Sequence, residues 1–167
     1  RNQFRQMKDA AVYDPLTHCL NRQAILHQLR EVMIRVRKNK TKLVVAYADL
    51  DGLKLANDGL GHDAGDTLIR RAVDCLTSVS LPDGVGRMGG DEFLFFPKSV
   101  DALNALPHIC ASGVPPVRMS VGVVVMDDAS LLEKLSNFRD TRPEKRRISD
   151  IWEVVFQPEL DALMYKA

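Results

Sequence analysis

The residues that say most about the architecture of this chain are Arg87-Met88-Gly89-Gly90-Asp91-Glu92-Phe93, with the apolar Leu94-Phe95-Phe96 directly behind them. This order predicts a strand, a tight turn at the two glycines and a second strand. Because glycine has no Cβ, a bulky anion can approach the backbone of such a turn. The two acids at the start of the second strand offer the oxygen ligands that divalent cations prefer. The combination favours phosphate chemistry.

A second acidic element lies earlier in the chain. Leu43 to Ala48 is an apolar run typical of a buried strand, and it leads directly into Asp49-Leu50-Asp51. We expect the acidic end of this strand to meet the acidic start of the strand that follows the glycine turn.

The remaining pattern predicts helices that alternate with strands. Apolar residues between Asn21 and Lys38 recur at helical spacing, which predicts a helix that faces the core. A second helix is expected after Asp63, which could cap it, and Leu81-Pro82-Asp83-Gly84 should end it. A short helix around Asp101 to Leu106 and a strand over Val117 to Met126 follow. Periodicity alone leaves the choice between an α/β and an α+β fold open.

The composition is that of one domain without a strong overall charge. The 167 residues include 23 basic and 22 acidic ones, so the net charge is +1. We therefore expect small ligands, no nucleic acid and no membrane contact by this part of the protein. Cys19, Cys75 and Cys110 are widely spaced and odd in number, which argues against a disulfide framework or a zinc site and favours the cytoplasm. No apolar run approaches the roughly 20 residues that cross a bilayer.

Taken together, the motifs resemble those of the GGDEF domain family, most of whose active members are diguanylate cyclases. In order and at family spacing they cover roughly residues 14 to 126, which a short motif would not do by chance. The matching residues are Asp14-Pro15-Leu16-Thr17, Asn21-Arg22, Asp49-Leu50-Asp51-Gly52-Leu53-Lys54, Asn57-Asp58, Gly61-His62, Gly65-Asp66, the signature from Gly89 to Phe93, and Ser120-Val121-Gly122. The resemblance implies an α+β fold, an α/β sandwich of palm-like nucleotide-cyclase type with a central, mainly antiparallel sheet flanked by helices.

The resemblance also implies a metal site. Asp49 and Asp91 would supply carboxylates, the backbone carbonyl of Leu50 a further ligand, and Glu92 would complete the acidic cluster. Two Mg²⁺ ions per GTP, or Mn²⁺, suit such oxygen ligands. Asp51 could belong to this cluster or be purely structural, and the sequence leaves that choice open.

Nucleotide binding is implied at further positions. Asn57 and Asp66 match the family positions that read guanine, and a carboxylate that accepts from guanine N1 and N2 discriminates against adenine. Gly89 and Gly90 would lie against the phosphates. Lys54 is a catalytic candidate because it could offset phosphate charge, although a lone Lys near a helix start is as often solvated.

Other matching residues are interpreted as structural. His62 would order the loop between the guanine-reading residues. Asp14 and Arg22 would brace the entry segment, the stretch around Asp14 that precedes the first predicted helix of the domain, against the rest of the domain. An ordinary surface salt bridge is the alternative. At the family's product-inhibition site Ser80 stands in place of Arg while Asp83 is kept, so the site is expected to be absent. Saturation of this domain by product at low micromolar concentration would refute that expectation.

The resemblance also implies a domain organisation. Residues 1–13 are expected to be the end of an N-terminal linker or signalling helix from an upstream sensory or receiver domain, with a frayed terminal helix of no role as the alternative. Residues 14–167 would form the GGDEF domain, with an atypical or inserted segment at about 127–157. The basic residues of that segment could contact phosphates or a partner, but a charge run is more often a solvated loop.

The implied function is a diguanylate cyclase that condenses two GTP into cyclic di-GMP and two pyrophosphates. It would act as a homodimer with one GTP in each half-site, in the cytoplasm or as the cytoplasmic part of a membrane-anchored sensor protein. The alternative is a catalytically inactive GGDEF domain that binds GTP or a protein partner as a regulatory module.

Overall fold

The computed structural model describes residues 12–127 and 129–130 of the chain. The predicted linker helix of residues 1–13 and the predicted atypical segment 127–157 lie, apart from their inner ends, outside the described residues. The helices and strands wholly within the described ranges are, in order, α1 (Arg22–Asn39), β1 (Leu43–Leu50), α2 (Leu53–Leu60), α3 (His62–Val79), β2 (Ser80–Arg87), β3 (Glu92–Pro97), α4 (Val100–Ser112) and β4 (Met119–Met126).

The four strands form one antiparallel sheet in the order β2-β3-β1-β4. β1 is central: its Ala46 faces Phe95 of β3, and its Leu43 and Leu50 face Met126 and Met119 of β4. The signature hairpin predicted from the glycine turn joins β2 to β3. An α+β fold with an antiparallel sheet is thereby confirmed.

Helices cover both faces of this sheet because side chains of the strands alternate between them. On one face α1 packs Ile25 and Leu29 against Val45 and Tyr47 of β1, and all four side chains are buried. On the other face β1 presents Ala46 and Ala48 to a cluster from α3 and α4. The sheet is thus held between two apolar layers, which fixes the positions of its strand ends.

The start of α3 differs from the prediction. Its N-cap is Gly61, at a φ of 87°, with no side-chain cap bond, and Asp63 lies in the first turn instead. A backbone with such a positive φ is adopted more readily by glycine than by any residue with a Cβ. Asp63 therefore adds a favourable charge near the helix N-terminus without being the cap. For α1 the prediction holds, and Asn21 caps it by accepting from the amide of Ala24 at 2.9 Å.

The helix predicted around Asp101 to Leu106 extends further, to Ser112, with Pro107 inside it. Leu106 and Cys110 are buried four residues apart, so packing on the core outweighs the hydrogen bond that proline removes. The predicted break at residues 81–84 lies within β2, where the pairing with β3 is irregular between Ser80 and Val85. The last strand begins at Met119, two residues later than predicted.

Two expectations from composition concern cysteines and membrane segments. Cys19, Cys75 and Cys110 are all free thiols. Among the described residues no helix combines the length and the apolarity that a bilayer-crossing segment needs.

Replacing Gly86 with Ala is expected to lower the stability of the domain. Gly86 lies in β2 beneath α1, and an added Cβ would lie 2.6 Å from both Cγ atoms of Ile25, which is fully buried. Such overpacking costs about 1–3 kcal/mol, or a melting temperature lower by roughly 2–12 °C. Thermal unfolding followed by circular dichroism measures it. Gly90→Ala is the matched control, since nothing lies within 4 Å of its added Cβ. Equal melting temperatures for the two variants would contradict the packing account.

Candidate functional site

The two acidic strand ends meet, as the sequence predicted. Asp49, next to the end of β1, is the register partner of Glu92, the first residue of β3. The amide of Leu50 donates to the backbone carbonyl of Asp91 at 2.9 Å, which fixes the loop before β3 against the end of β1. Asp91 itself lies in the turn, one residue before the strand that was predicted to begin there. Three predicted metal-site residues and the Leu50 backbone are therefore neighbours.

The charges in this cluster repel one another. The pKa of Asp49 is raised, first by its burial and then by the negative charges of Asp91, Glu92 and Asp51. No basic residue is among the causes that shift it. Since this arrangement disfavours ionised Asp49 in the free protein, a cation or a cation–phosphate complex would relieve the repulsion.

The donor set fits a hard divalent cation that keeps several non-protein ligands. Within residues 12–127 and 129–130, no three His, Cys, Asp or Glu side chains are grouped as they would be around an ion. A fully protein-made cage, as for structural zinc or calcium, is therefore not what this part of the chain offers. Mg²⁺ instead is usually held by one or two carboxylates together with waters and substrate phosphates. Asp49, Asp91, Glu92 and the Leu50 carbonyl are compatible with that.

The two glycines of the turn have different surroundings. A Cβ at Gly89 would lie 2.7 Å from Oε2 of Glu92, so this glycine makes room for the Glu92 carboxylate beneath the turn. Gly90 is exposed and has no atom within 4 Å of the position of a Cβ. The space above Gly90 is thus open to a ligand, whereas the space beside Gly89 is occupied by the Glu92 carboxylate.

Arg87 holds the backbone of this turn from below. Its Nε donates to the carbonyls of Gly89 and Gly90 at 3.0 and 3.1 Å, and its Nη2 donates to Gly90 at 2.7 Å. Its Nη1 forms an ion pair with Asp14 at 3.2 Å, with both side chains largely buried. One guanidinium therefore connects the entry segment to the turn. Arg87 was not among the predicted site residues, although its place two residues before the glycine pair was a signal.

Asp14 is held in position by its own turn. Its Oδ1 accepts from the amides of Leu16 and Thr17 and from the Thr17 hydroxyl, at 3.2, 3.0 and 2.8 Å. Burial by itself raises the pKa of Asp14, but the hydrogen bonds from Thr17 and the charge of Arg87 outweigh it and the pKa is lowered. Asp14 does tie the entry segment to the domain, but through Arg87, which was not predicted as a member of the brace. Arg22 donates towards the carbonyl of Met88 at 3.5 Å.

The two predicted guanine-reading residues lie on adjacent helices. Asn57 is on α2 and Asp66 on α3, and both are half-buried. Gly65, on α3, permits the close approach of the two helices. A Cβ at this position would overlap Oδ1 of Asn57 and lie 2.9 Å from its Cγ. Gly65 thus lets the Asn57 amide lie directly against the start of α3, beside Asp66. This packing role was not predicted.

Replacing Gly65 with Ala is expected to displace the Asn57 side chain. With Asn57 in its predicted guanine-reading role, this should weaken GTP binding by about tenfold, the effect of one lost hydrogen bond to a buried polar group. Discrimination between GTP and ATP should fall with it. Titration calorimetry with both nucleotides measures this. Gly59→Ala, on α2 with nothing within 4 Å of its Cβ, is the control and should bind GTP as the wild type does. Unchanged GTP affinity in Gly65→Ala would contradict the proposed place of Asn57.

Three other candidates differ in how the structure places them. Lys54 and His62 are exposed, at the second residue of α2 and the first of α3. Asp51 accepts from the hydroxyl of Ser120 at 3.2 Å, and its amide donates to Arg118 at 3.0 Å. These bonds connect Asp51, the residue directly after β1, to the start of β4, which favours the structural interpretation of Asp51.

Ser80 and Asp83 occupy the positions of the family's product-inhibition site, where Ser80 stands in place of Arg and Asp83 is kept. Ser80 is buried and its hydroxyl donates to the Leu76 carbonyl at 2.6 Å, so the hydroxyl hydrogen is already engaged within the protein. Asp83 is exposed, at a φ of 51°. Both line a cavity of about 340 Å³ between the entry segment and β2. The absence of feedback inhibition through this site stays a prediction.

Comparison with known proteins gives consistent matches. The family model described as diguanylate cyclase, GGDEF domain, matches residues 11–144. DgcE of Escherichia coli (strain K12), named as a probable diguanylate cyclase, is 32% identical over 142 residues, which are 77% of this chain and 13% of DgcE. Diguanylate cyclase TpbB of Pseudomonas aeruginosa is 37% identical over 120 residues, 69% of this chain and 28% of TpbB.

A solved structure shares the fold. It is that of a microbial GGDEF domain described for its mode of interaction with cyclic di-GMP, with a TM-score of 0.63 and 30% identity, covering 78% of this chain and 89% of that one. The two curated relatives are much longer proteins, since the matched region is well under a third of each.

Proposed function

The chain belongs to the family of GGDEF domains, and on this basis we propose that it acts as a diguanylate cyclase that condenses two GTP into cyclic di-GMP and two pyrophosphates. The observation that carries the proposal is the pairing of Asp49 with Glu92 directly below the glycine turn. Acids that repel one another in a free protein, beside a turn open to a bulky anion, are suited to a metal–nucleotide complex.

The reaction forms two phosphodiester bonds. In each, the 3′-hydroxyl of one GTP attacks the α-phosphate of the other, the bond to the leaving pyrophosphate breaks, and the hydroxyl proton passes to solvent or a nearby carboxylate. One domain holds one GTP, so a homodimer is required, with a nucleotide in each half-site. Catalysis is then mainly positioning of the two nucleotides and electrostatic stabilisation.

The residues divide the work by place. Asp49, Asp91, Glu92 and the Leu50 carbonyl would hold two Mg²⁺ ions, or Mn²⁺. When bound, these ions neutralise phosphate charge and lower the pKa of the attacking hydroxyl. The open space above Gly90 receives phosphate oxygens, and exposed Lys54 adds a positive charge near them.

Specificity for guanine comes from Asn57 and Asp66. The Asp66 carboxylate accepts from N1 and N2 of the base, while the amide of Asn57 pairs with its acceptor edge. Adenine has neither of those donors in that arrangement, so GTP is favoured over ATP. Both nucleotide and Mg²⁺ are available in the cytoplasm, where an upstream sensory or receiver domain would regulate dimer formation.

The test is mass spectrometry of the nucleotides formed from GTP, ATP and Mg²⁺ at several protein concentrations, with Glu92→Ala alongside. Because the reaction needs two domains, cyclic di-GMP should increase more steeply than the protein concentration and should vanish in the variant. Binding of GTP without any cyclic product, by folded protein at all concentrations, would overturn the proposal. That result would favour a regulatory GGDEF module that binds GTP.

A further inference from the structure

The nearly neutral chain conceals a strongly basic surface. Six basic residues and one acid lie within residues 30–42, so this segment carries +5 while the rest of the chain carries −4. All six basic side chains are exposed. They form what we call the basic patch: Arg30, Arg35, Arg37, Lys38, Lys40 and Lys42. The patch covers the outer side of the second half of α1 and the loop that leads into β1.

We propose that the basic patch binds the surface of a membrane that contains anionic phospholipids. Each Lys or Arg near such a surface strengthens binding about fivefold, so a cluster of six is a substantial attraction. The inference is independent of catalysis, since no patch residue belongs to the proposed active site. The expectation of no membrane contact was based on the net charge of the whole chain, which averages out this asymmetry.

An exposed apolar residue favours a membrane over other polyanions. Ile34 is 52% exposed on α1. Arg30 precedes it and Lys38 follows it by four residues each, so the three share one side of the helix. Basic side chains around an apolar one are suited to the boundary between lipid headgroups and acyl chains, where burial of the apolar group adds to the electrostatic attraction. A nucleic-acid backbone has no apolar layer in which Ile34 could be buried, so Ile34 would not strengthen binding to it.

The position of the patch also leaves the proposed active site free. Lys42 directly precedes β1, and the acidic cluster lies at the other end of that strand. Eight residues of strand span about 25 Å, roughly three Debye lengths at physiological salt. The acids would be repelled by anionic lipid, so the domain would orient with the active site towards the solution. Among the residues that the structure describes, two acids lie near the patch: Glu31 on α1, and Asp127, which is close enough to Lys42 for the two charges to interact.

Flotation with lipid vesicles tests the proposal on the 167-residue chain. Wild type should bind vesicles with roughly one-third phosphatidylserine but not pure phosphatidylcholine, and added salt should weaken binding. Arg35→Glu with Lys38→Glu should reduce binding more than about twentyfold. Arg70→Glu with Lys98→Glu makes the same change in net charge outside the patch and should leave binding nearly unchanged. Circular dichroism shows whether each variant is folded.

Ile34→Ser separates the membrane from a general polyanion. It should weaken vesicle binding while leaving retention on heparin unchanged, because only the vesicle has an apolar layer. Absence of wild-type binding to the anionic vesicles, or equal losses in the two double variants, would overturn the proposal. So would displacement from vesicles by duplex RNA at equal phosphate concentration, which would indicate a nucleic-acid surface.

Discussion

Replacing Asp49 with Asn is expected to abolish formation of cyclic di-GMP and, at the same time, to raise the melting temperature of the ligand-free domain. Activity should fall at least about a thousandfold, because a metal-binding carboxylate that stabilises developing charge is lost. Stability should rise because Asn is isosteric and neutral. Asp49 is partly buried beside Asp91 and Glu92, and the substitution removes that repulsion.

The gain in stability should depend on pH in a defined direction. Since the pKa of Asp49 is raised in the folded protein, the folded state binds the proton more tightly than the unfolded chain, where 3.8 is the ordinary value. Well below 3.8, Asp49 is protonated in both states, so its charge does not destabilise the wild type. As pH increases through the raised pKa, Asp49 ionises in the folded protein and the repulsion lowers the stability of the wild type by its full amount. The difference in melting temperature should therefore be small in acid and largest at neutral pH.

A matched control separates this site from general charge effects. Asp51→Asn makes the same change two residues away, at a side chain that is exposed and accepts a hydrogen bond from Ser120. It should retain most of the activity and gain less stability. Added Mg²⁺ should raise the melting temperature of the wild type more than that of Asp49→Asn. A fully active Asp49→Asn, or one destabilised at neutral pH, would show that Asp49 has a different role.

The sheet and its acidic edge were predictable because their sequence signals are local. The apolar run from Leu43 and the glycine turn at Gly89 each specify a strand end without reference to the rest of the chain. α4 was predicted too short, since Pro107 ordinarily ends a helix and only burial of Leu106 and Cys110 reveals that it does not. The cap of α3 is Gly61 and not the predicted Asp63 for a similar reason. The positive φ of the cap residue depends on how α2 and α3 join, which the local sequence does not reveal.

The supporting residues of the site were harder to predict than its acids. Asp49 and Glu92 are recognisable by residue type and motif. Gly65 matters through a contact with Asn57, and Arg87 through one guanidinium that reaches both the turn and Asp14. Such roles depend on pairs of residues distant in sequence, which spacing within one motif does not reveal.

Replacing Arg87 with Ala is expected to have the second largest effect, on both stability and turnover. The change removes the hydrogen bonds to Gly89 and Gly90 and leaves the Asp14 carboxylate, only 15% exposed, without its ion-pair partner. Loss of one partner of a largely buried pair costs about 3 kcal/mol, or roughly 6–12 °C in melting temperature. A turn displaced by about 1 Å should also reduce kcat about a hundredfold.

Arg87→Lys distinguishes positioning of the turn from the ion pair alone. Lys keeps the charge near Asp14 but has no planar fork that could reach the carbonyls of Gly89 and Gly90 together. It should recover part of the stability while kcat stays low and the Kd for GTP changes less than about threefold. If Arg87→Lys recovers activity in proportion to stability, the guanidinium serves folding and not the turn.

Asp14→Asn provides the complementary measurement, because it breaks the ion pair while Arg87 keeps its bonds to the turn. The pKa of Asp14 is lowered in the folded protein, so its ionised form contributes stability above its ordinary value of 3.8, and this contribution is lost as pH falls through the lowered pKa. The wild type should therefore exceed Asp14→Asn in melting temperature at neutral pH and lose that advantage in acid. Because the turn stays anchored, kcat should fall far less than in Arg87→Ala. Equal losses of kcat would mean that the entry segment, and not the guanidinium alone, positions the turn.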